Sequence, residues 1–246
     1  MHRLLVASAC LELDSPALSR EAARHLKVLR PESGEKIELF DGKGSWRTYR
    51  FLARGGFAAV SPKMSVAAPE TGLTLFACIT KGSRWDWTVE KATELGVTRI
   101  VPVISDRTIV RIPASERAAK RERWLRIAED AARQSDAKWL PEISEAVDFS
   151  DSLALVKETT CFIGALTNPP SPPLVRAIGG EVEKRGEGGQ KNLSVFIGPE
   201  GDFTPEELAA LMKIATPTSF GPTVLRAETA AVFALSVLAA AGHGRR

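Results

Sequence analysis

The chain has 246 residues, of which 44% are hydrophobic and 26% are charged, and its net charge is +3. This length and apolar content are typical of one or two packed domains and exclude fibrous and disordered classes. The sequence has no uninterrupted apolar run of about 18 residues and no secretory cleavage pattern near its first residues. We therefore expect a soluble, cytoplasmic protein with no membrane partner.

The first part of the chain, residues 1–68, predicts a small β-rich domain. A short helix is expected over residues 19–29, because Pro31 stops it. Strand-like runs follow at residues 36–40, 45–52 and 57–60, with glycine-containing turns between them. Residues 1–70 hold 11 basic and 8 acidic side chains, so they account for the whole net charge of the chain. Residues 66–72 are typical of a linker.

The second part, residues 72–246, alternates short apolar runs with helical segments. The runs lie at 73–80, 99–104, 161–166, 193–198 and 218–221, and the helices at 86–95, 115–138, 174–184, from 205, and at 227–241. Strands that alternate with helices indicate an α/β domain with a mainly parallel sheet. The loops at residues 168–173 and 186–190 are assigned no role.

Three glycine-bearing loops follow predicted strands, at residues 163–166, 197–201 and 220–226. Ligands of open parallel sheets bind at this edge, and glycine lets the main chain approach a flat nucleoside closely. Each loop alone is also an ordinary exit from a strand, and Thr204 with Glu207 forms a capping box that needs no ligand. The chain has no GxGxxG or P-loop motif, which argues against a dinucleotide or P-loop site.

Charged residues suggest two functional surfaces. Residues 99–126 hold eight basic and three acidic side chains, which fits either a phosphate-facing band or a solvated helix face. Arg226 lies just before the last helix, where it could hold a developing anion. A purely structural pair between Arg226 and Glu228 or Glu200 is an open alternative.

The cysteines and histidines predict no metal site. Cys10, Cys78 and Cys161 are far apart, and the three histidines form no HExxH pattern. We therefore expect the cysteines to be small core residues in a reducing compartment, without a disulfide framework.

Several motifs, in order, resemble the RsmE family, whose members methylate N3 of a uridine in small-subunit ribosomal RNA. They are HLKVLR at 25–30, ELFDG at 38–42, KG at 81–82, EKATELG at 90–96, AARQS at 131–135, IGPEGDFTPEE at 197–207 and LRAETA at 225–230. The resemblance implies a PUA-like RNA-binding β-barrel over residues 1–68. It also implies a SPOUT methyltransferase domain over residues 72–246, with a C-terminal trefoil knot.

The same resemblance implies S-adenosyl-L-methionine as cofactor, 16S rRNA in the small ribosomal subunit as partner, and a homodimer. The residues expected around the cofactor are Leu166, Thr167, Ile197, Gly198, Pro199, Glu200, Gly201, Phe220, Gly221, Val224, Leu225, Arg226 and Thr229. Arg226, Glu228 and Glu200 are the catalytic candidates, with Arg226 stabilising the anion and either acid as general base.

Candidate RNA contacts are Arg24, Lys27, Arg30, Lys81, Arg84, Lys91, Arg107, Arg111 and Gln134. The chain departs from the family pattern at two places. Asp202 stands where the family usually has glycine, and Asp136-Ala137-Lys138 where a Gly-Arg pair is common. The second departure weakens the case for a basic RNA contact just after Ser135.

Two other functions stay open at this point. A SPOUT enzyme that methylates a ribose 2′-hydroxyl would share the fold, although its Asn-rich final motif is not visible here. A non-catalytic ribosome-assembly factor would need only the basic surfaces and would not bind the cofactor.

Overall fold

The computed structural model describes residues 1–53, 55–156, 159–164, 171–184 and 192–242. The chain forms two compact units. The N-terminal unit comprises Met1–Ala68 together with Glu129–Leu140, and the C-terminal unit comprises Pro69–Ala128 and Pro141–Arg246. A segment from the middle of the sequence thus returns to the first unit.

The N-terminal unit is built on a five-stranded mixed sheet. Its elements are β1 (His2–Leu5), a 3₁₀ turn (Ser8–Glu12), α1 (Arg20–Leu29), β2 (Lys36–Phe40), β3 (Ser45–Phe51), β4 (Phe57–Ala59) and β5 (Met64–Ser65). β1 runs parallel to β2, whereas β3 is antiparallel to β2, β4 and β5. β1 and β5 were not anticipated from the sequence.

The predicted first helix is confirmed, and its ends follow local rules. Ser19 caps α1 by accepting a hydrogen bond from the Ala22 amide at 3.2 Å. Leu26 packs into the core of the unit, and the helix ends at Leu29, before Arg30, whose φ of 48° is left-handed. Arg24, Lys27 and Arg30 stay exposed, so α1 has a basic outer face.

A buried ion cluster joins the sheet of the N-terminal unit to the segment that follows residue 128. Glu38 Oε1 accepts hydrogen bonds from Arg3 Nε at 2.7 Å and from Lys138 Nζ at 2.8 Å. Arg3 also donates to the carbonyls of Ala132 at 2.6 Å and Ala137 at 3.1 Å. Lys138 is therefore used inside this unit.

The C-terminal unit holds a seven-stranded, all-parallel sheet. Its elements are β6 (Leu73–Cys78), α2 (Ser83–Glu94), β7 (Arg99–Ile104), α3 (Ala114–Ser135, whose last turns belong to the N-terminal unit), β8 (Glu142–Ile143), β9 (Val147–Asp148), α4 (Phe149–Ala154), β10 (Thr159–Gly164), α5 (Leu174–Lys184), β11 (Asn192–Ile197), α6 (Pro205–Leu211), β12 (Thr216–Thr218) and α7 (Ala227–Gly242). The strand order is β12-β10-β11-β6-β7-β8, with β9 also paired to β7. The predicted parallel α/β architecture is confirmed.

Helices cover both faces of this sheet, which explains its nearly continuous apolar strands. In β6, Leu75 and Ala77 face the core under α2, α3, α5 and α7, whereas Phe76 and Cys78 face the other side. On that second side Phe76 stacks on Phe196 of β11, with ring centroids 4.5 Å apart. The sheet is therefore covered by packed side chains on both faces.

Several predicted boundaries differ from the structure. The helix expected from residue 86 begins at Ser83, and the long helix expected to reach residue 138 ends at Ser135 because Asp136 has a φ of 60°. The last strand lies at Thr216–Thr218, not at residues 218–221. Cys10 is half-exposed, which corrects its expected place in the core, because it lies in the 3₁₀ turn. Within the described ranges, no helix is long and apolar enough to cross a membrane.

Candidate active site

A cavity of about 340 Å³ opens at the carboxyl edge of the parallel sheet. Gly164, Ile197 and Thr218, the last residues of β10, β11 and β12, form its floor. Its walls come from the loops that follow β11 and β12. Two glycine loops and the start of the third thus meet where ligands of parallel sheets bind.

Gly164 is required by the close approach of an aromatic ring. A Cβ atom at this position would lie 2.4 Å from Cε2 of Phe220, closer than any real contact. The Phe220 ring also packs against Phe233 of α7, with centroids 5.8 Å apart. Glycine at the end of β10 therefore allows Phe220 to form a wall of the cavity.

The loop at residues 198–203 is held in a tight turn by its own backbone and by Arg107. The Asp202 amide donates to the Pro199 carbonyl at 2.9 Å, and Arg107 donates to the Gly201 carbonyl at 2.9 Å. Asp202 has a φ of 60°, and its Oδ1 accepts from the Phe203 amide at 2.8 Å. Glycine and aspartate both tolerate this left-handed conformation, which explains how Asp202 replaces the usual glycine.

The expected capping box at the start of α6 is confirmed. Thr204 Oγ1 accepts from the Glu207 amide at 3.2 Å, and Glu207 Oε2 accepts from the Thr204 amide at 2.9 Å. Glu207 is buried, and its second oxygen accepts from the Asp106 amide at 2.9 Å. The box therefore also fastens the loop after β7 beside the loop that lines the cavity.

A cluster of three charges lies at the same edge of the sheet. Arg84 Nη1 is 3.5 Å from Glu200 Oε1, and Arg84 Nε is 3.7 Å from Glu228 Oε1. The alternative in which these acids pair with Arg226 is not observed, because Arg84 reaches them from α2 instead. Arg226 is exposed and lines the cavity, and within the described part of the chain it makes no ion pair.

Most of the residues expected around a cofactor line this cavity. They are Ile197, Gly198, Pro199, Glu200, Phe220, Gly221, Val224, Leu225 and Arg226. Gly201 and Thr229 are not among the lining residues, and Leu166 and Thr167 lie outside the described residues. Gln134 lies exposed near the end of α3, in the N-terminal unit.

Sequence reasoning missed several residues of the cavity wall. Asp202, Thr218, Ser219 and Thr223 line it, although none was a candidate. Their places directly after β11 and around the end of β12 are a signal that could have found them. No local signal pointed to Arg84 as the partner of Glu200 and Glu228, because these residues are far apart in the chain.

Four candidate RNA contacts in the C-terminal unit are engaged in contacts within the protein. Arg107 holds the 198–203 loop, and Arg111 donates to the carbonyls of Ser105 and Asp106 at 3.0 and 2.6 Å. Lys91 pairs with Glu90 and Glu94. Arg84 pairs with Glu200 and Glu228. Lys81 is exposed and, among the described residues, forms no ion pair.

Cysteine chemistry is disfavoured at this edge. Burial raises the pKa of the Cys78 thiol, at the end of β6, to about 11, so it stays protonated at neutral pH. Within the described ranges, no three His, Cys, Asp or Glu side chains cluster as metal ligands would. The polar side chains that line the cavity are thus hydroxyls, carboxylates and the Arg226 guanidinium.

Comparison with known proteins identifies the same two parts of the chain. Residues 68–239 match the family model of an RNA methyltransferase domain, and residues 18–56 match that of an RNA methyltransferase PUA domain. The ribosomal RNA small subunit methyltransferase E of Synechocystis is 32% identical, over 96% of this chain and 76% of the relative.

Two solved structures are similar over almost the whole chain. A methyltransferase from Legionella pneumophila in complex with its cofactor SAM has a TM-score of 0.82 and 30% identity, covering 98% of each chain. A ribosomal RNA small subunit methyltransferase E from Neisseria gonorrhoeae, bound to S-adenosyl methionine, has a TM-score of 0.79 and 28% identity. It covers 97% of this chain and 96% of that one.

Proposed function

Because this chain belongs to the ribosomal RNA small subunit methyltransferase E family, we propose that it transfers a methyl group from S-adenosylmethionine to N3 of a uridine in 16S rRNA. The observation that carries this proposal is the cavity at the carboxyl edge, which brings together the loops of the family motifs. Relatives with the same fold were solved with S-adenosylmethionine bound.

The residues of the cavity fit this cofactor. Its volume of about 340 Å³ lies in the range of small-ligand sites. Gly198, Gly221 and Leu225 offer backbone groups that would bind an adenine edge, and the Phe220 ring, admitted by Gly164, provides an apolar wall. When bound, S-adenosylmethionine supplies an electrophilic methyl group on a sulfonium.

The residues of the protein would prepare the nucleophile. Uracil N3 carries a proton, and its loss puts negative charge on the flanking carbonyl oxygens. Arg226, exposed at the cavity, would donate to one of these oxygens and stabilise the anion. Glu228 or Glu200 would accept the proton. Closing the cavity around the two reactants would orient them and exclude water.

A methylation assay tests the proposal. Small subunits that lack the modification are incubated with labelled S-adenosylmethionine, and the methylated nucleoside is identified by mass spectrometry. N3-methyluridine is the expected product. A 2′-O-methyl product would identify a ribose methyltransferase, and the absence of any product would favour an assembly factor.

Arg226→Ala is expected to lower kcat by about a hundredfold while cofactor affinity changes little, because Arg226 acts on the developing anion. Turnover is measured in the assay above, and cofactor affinity by calorimetry. Pro222→Ala, at an exposed residue of the same loop that is not among the lining residues, provides the control for disturbance of the loop. Unchanged turnover in Arg226→Ala would remove this residue from the mechanism.

For RNA binding, the main role would fall to the basic outer face of α1, with Arg24, Lys27 and Arg30, and to Lys81. These side chains are exposed and available for phosphates. Arg107, Arg111 and Lys91 remain weaker candidates, since each is already bonded within the protein. The N-terminal unit would act as the PUA-like RNA-binding barrel, a role supported by the match to a PUA model.

We also propose a homodimer, a C-terminal trefoil knot and a cytoplasmic site of action. α7 is apolar on almost all sides, yet Phe233 on this helix and Trp87 on the adjacent α2 are exposed. Large exposed apolar side chains on packed helices favour a second copy as the partner. In that arrangement Gln134 of the partner could complete the site, as the family resemblance implies. A ribosomal RNA substrate fits the cytoplasm.

A further inference from the structure

Arg84 occupies a position that the helix itself disfavours. It lies in the first turn of α2, where the positive end of the helix dipole repels a cation. Gly82 precedes the helix without a side-chain cap, and the acid of the first turn, Asp86, pairs with Arg123 and not with Arg84. The reason for an arginine at this position must therefore lie outside α2.

Two carboxylates from other elements supply that reason. Glu200 comes from the loop after β11, and Glu228 from the first turn of α7. Both lie within 3.5–3.7 Å of the same guanidinium, at different nitrogens. One arginine thus neutralises two acids, of which Glu200 lines the cavity and Glu228 directly follows the lining residue Ala227.

The two oxygens of Glu228 are in different environments. Oε1 faces Arg84, whereas Oε2 is buried and has no hydrogen-bond partner among the described residues. A buried oxygen without a donor costs free energy unless a ligand supplies one. The N3–H group of a target uracil is a donor of the required kind.

We propose that Arg84 is a positioning residue that holds Glu228 as the general base, and that it does not bind RNA phosphate. This inference rests on the proposed function. As the N3–H bond breaks, the proton passes to Glu228 Oε2, and the electron pair of that bond stays on N3 and forms the new bond to the methyl carbon. The electron pair of the broken C–S bond stays on sulfur, and Glu228 later returns the proton to water.

Kinetics of Arg84→Ala test this role against RNA binding. We expect kcat to fall about tenfold, with the KM for ribosomal RNA and the Kd for S-adenosylmethionine within about twofold of wild type. Arg84→Lys keeps a cation near the acids and should recover most of kcat. Lys213→Ala is the matched control, because Lys213 is an exposed cation of the same unit with no ion pair in the described ranges.

A double-mutant cycle with Glu228→Gln tests whether the loss of kcat in Arg84→Ala acts through Glu228. Glu228→Gln alone should lower kcat about a hundredfold, and adding Arg84→Ala should lower it little further, since the base is already gone. If the losses of kcat in the two single variants multiplied in the double variant, the two residues would act independently, and this would overturn the proposal. So would a raised KM for RNA with unchanged kcat, or an Arg84→Ala variant that behaves like Lys213→Ala. A wild-type chain that transfers no methyl group would refute the proposed function itself, before any variant is compared.

Discussion

Glu38→Gln is expected to destabilise the N-terminal unit by about 3 kcal/mol, since it removes the acid from a buried ion cluster. The Glu38 and Arg3 side chains are each only 6% exposed. Breaking such a pair typically costs about 3–5 kcal/mol. We expect the lower end of this energy range because Asp136 remains as a counter-ion of Arg3, with its Oδ1 3.2 Å from Arg3 Nε.

Hydrogen exchange measured by mass spectrometry on peptides of β2 and the end of α3 gives the opening free energy of this unit alone. The control is Asp14→Asn, which breaks the pair of Arg47 with an acid that is 84% exposed. Exposed pairs contribute about 0–1 kcal/mol, so this variant should change little. A Glu38→Gln loss no larger than that of the control would refute the reasoning from burial.

Two further outcomes follow from the packing around the sheet. Gly164→Ala should weaken S-adenosylmethionine binding by about tenfold, because the new methyl group displaces the Phe220 ring from the cavity wall. Calorimetry measures the affinity, and an unchanged value would contradict this account of the glycine. Burial raises the pKa of Cys78 and Cys161 to about 11, so at pH 8 roughly one thiol in a thousand is ionised. Iodoacetamide should therefore label half-exposed Cys10 first in the native protein, and equally fast labelling of all three would show that the core opens readily.

Local patterns in the sequence predict much of the fold. The period of apolar runs predicts the alternation of strands and helices, and Thr204 with Glu207 predicts the start of α6, because caps depend on neighbours within one turn. The glycine loops also predict the edge of the sheet where the cavity lies. Short strands such as β8 and β9 were missed, because two residues carry no detectable period.

The sequence alone thus determined the parallel α/β architecture and the family motifs, because both are recognised from residues that are close together in the chain. Tertiary structure decided which charged groups meet. Arg84 contacts Glu200 and Glu228 because the strand order brings their distant segments together. Lys138 contacts Glu38 because the chain returns to the N-terminal unit. Charge type is visible in a sequence, but a long-range ion pair depends on the crossovers between strands, which no local pattern specifies.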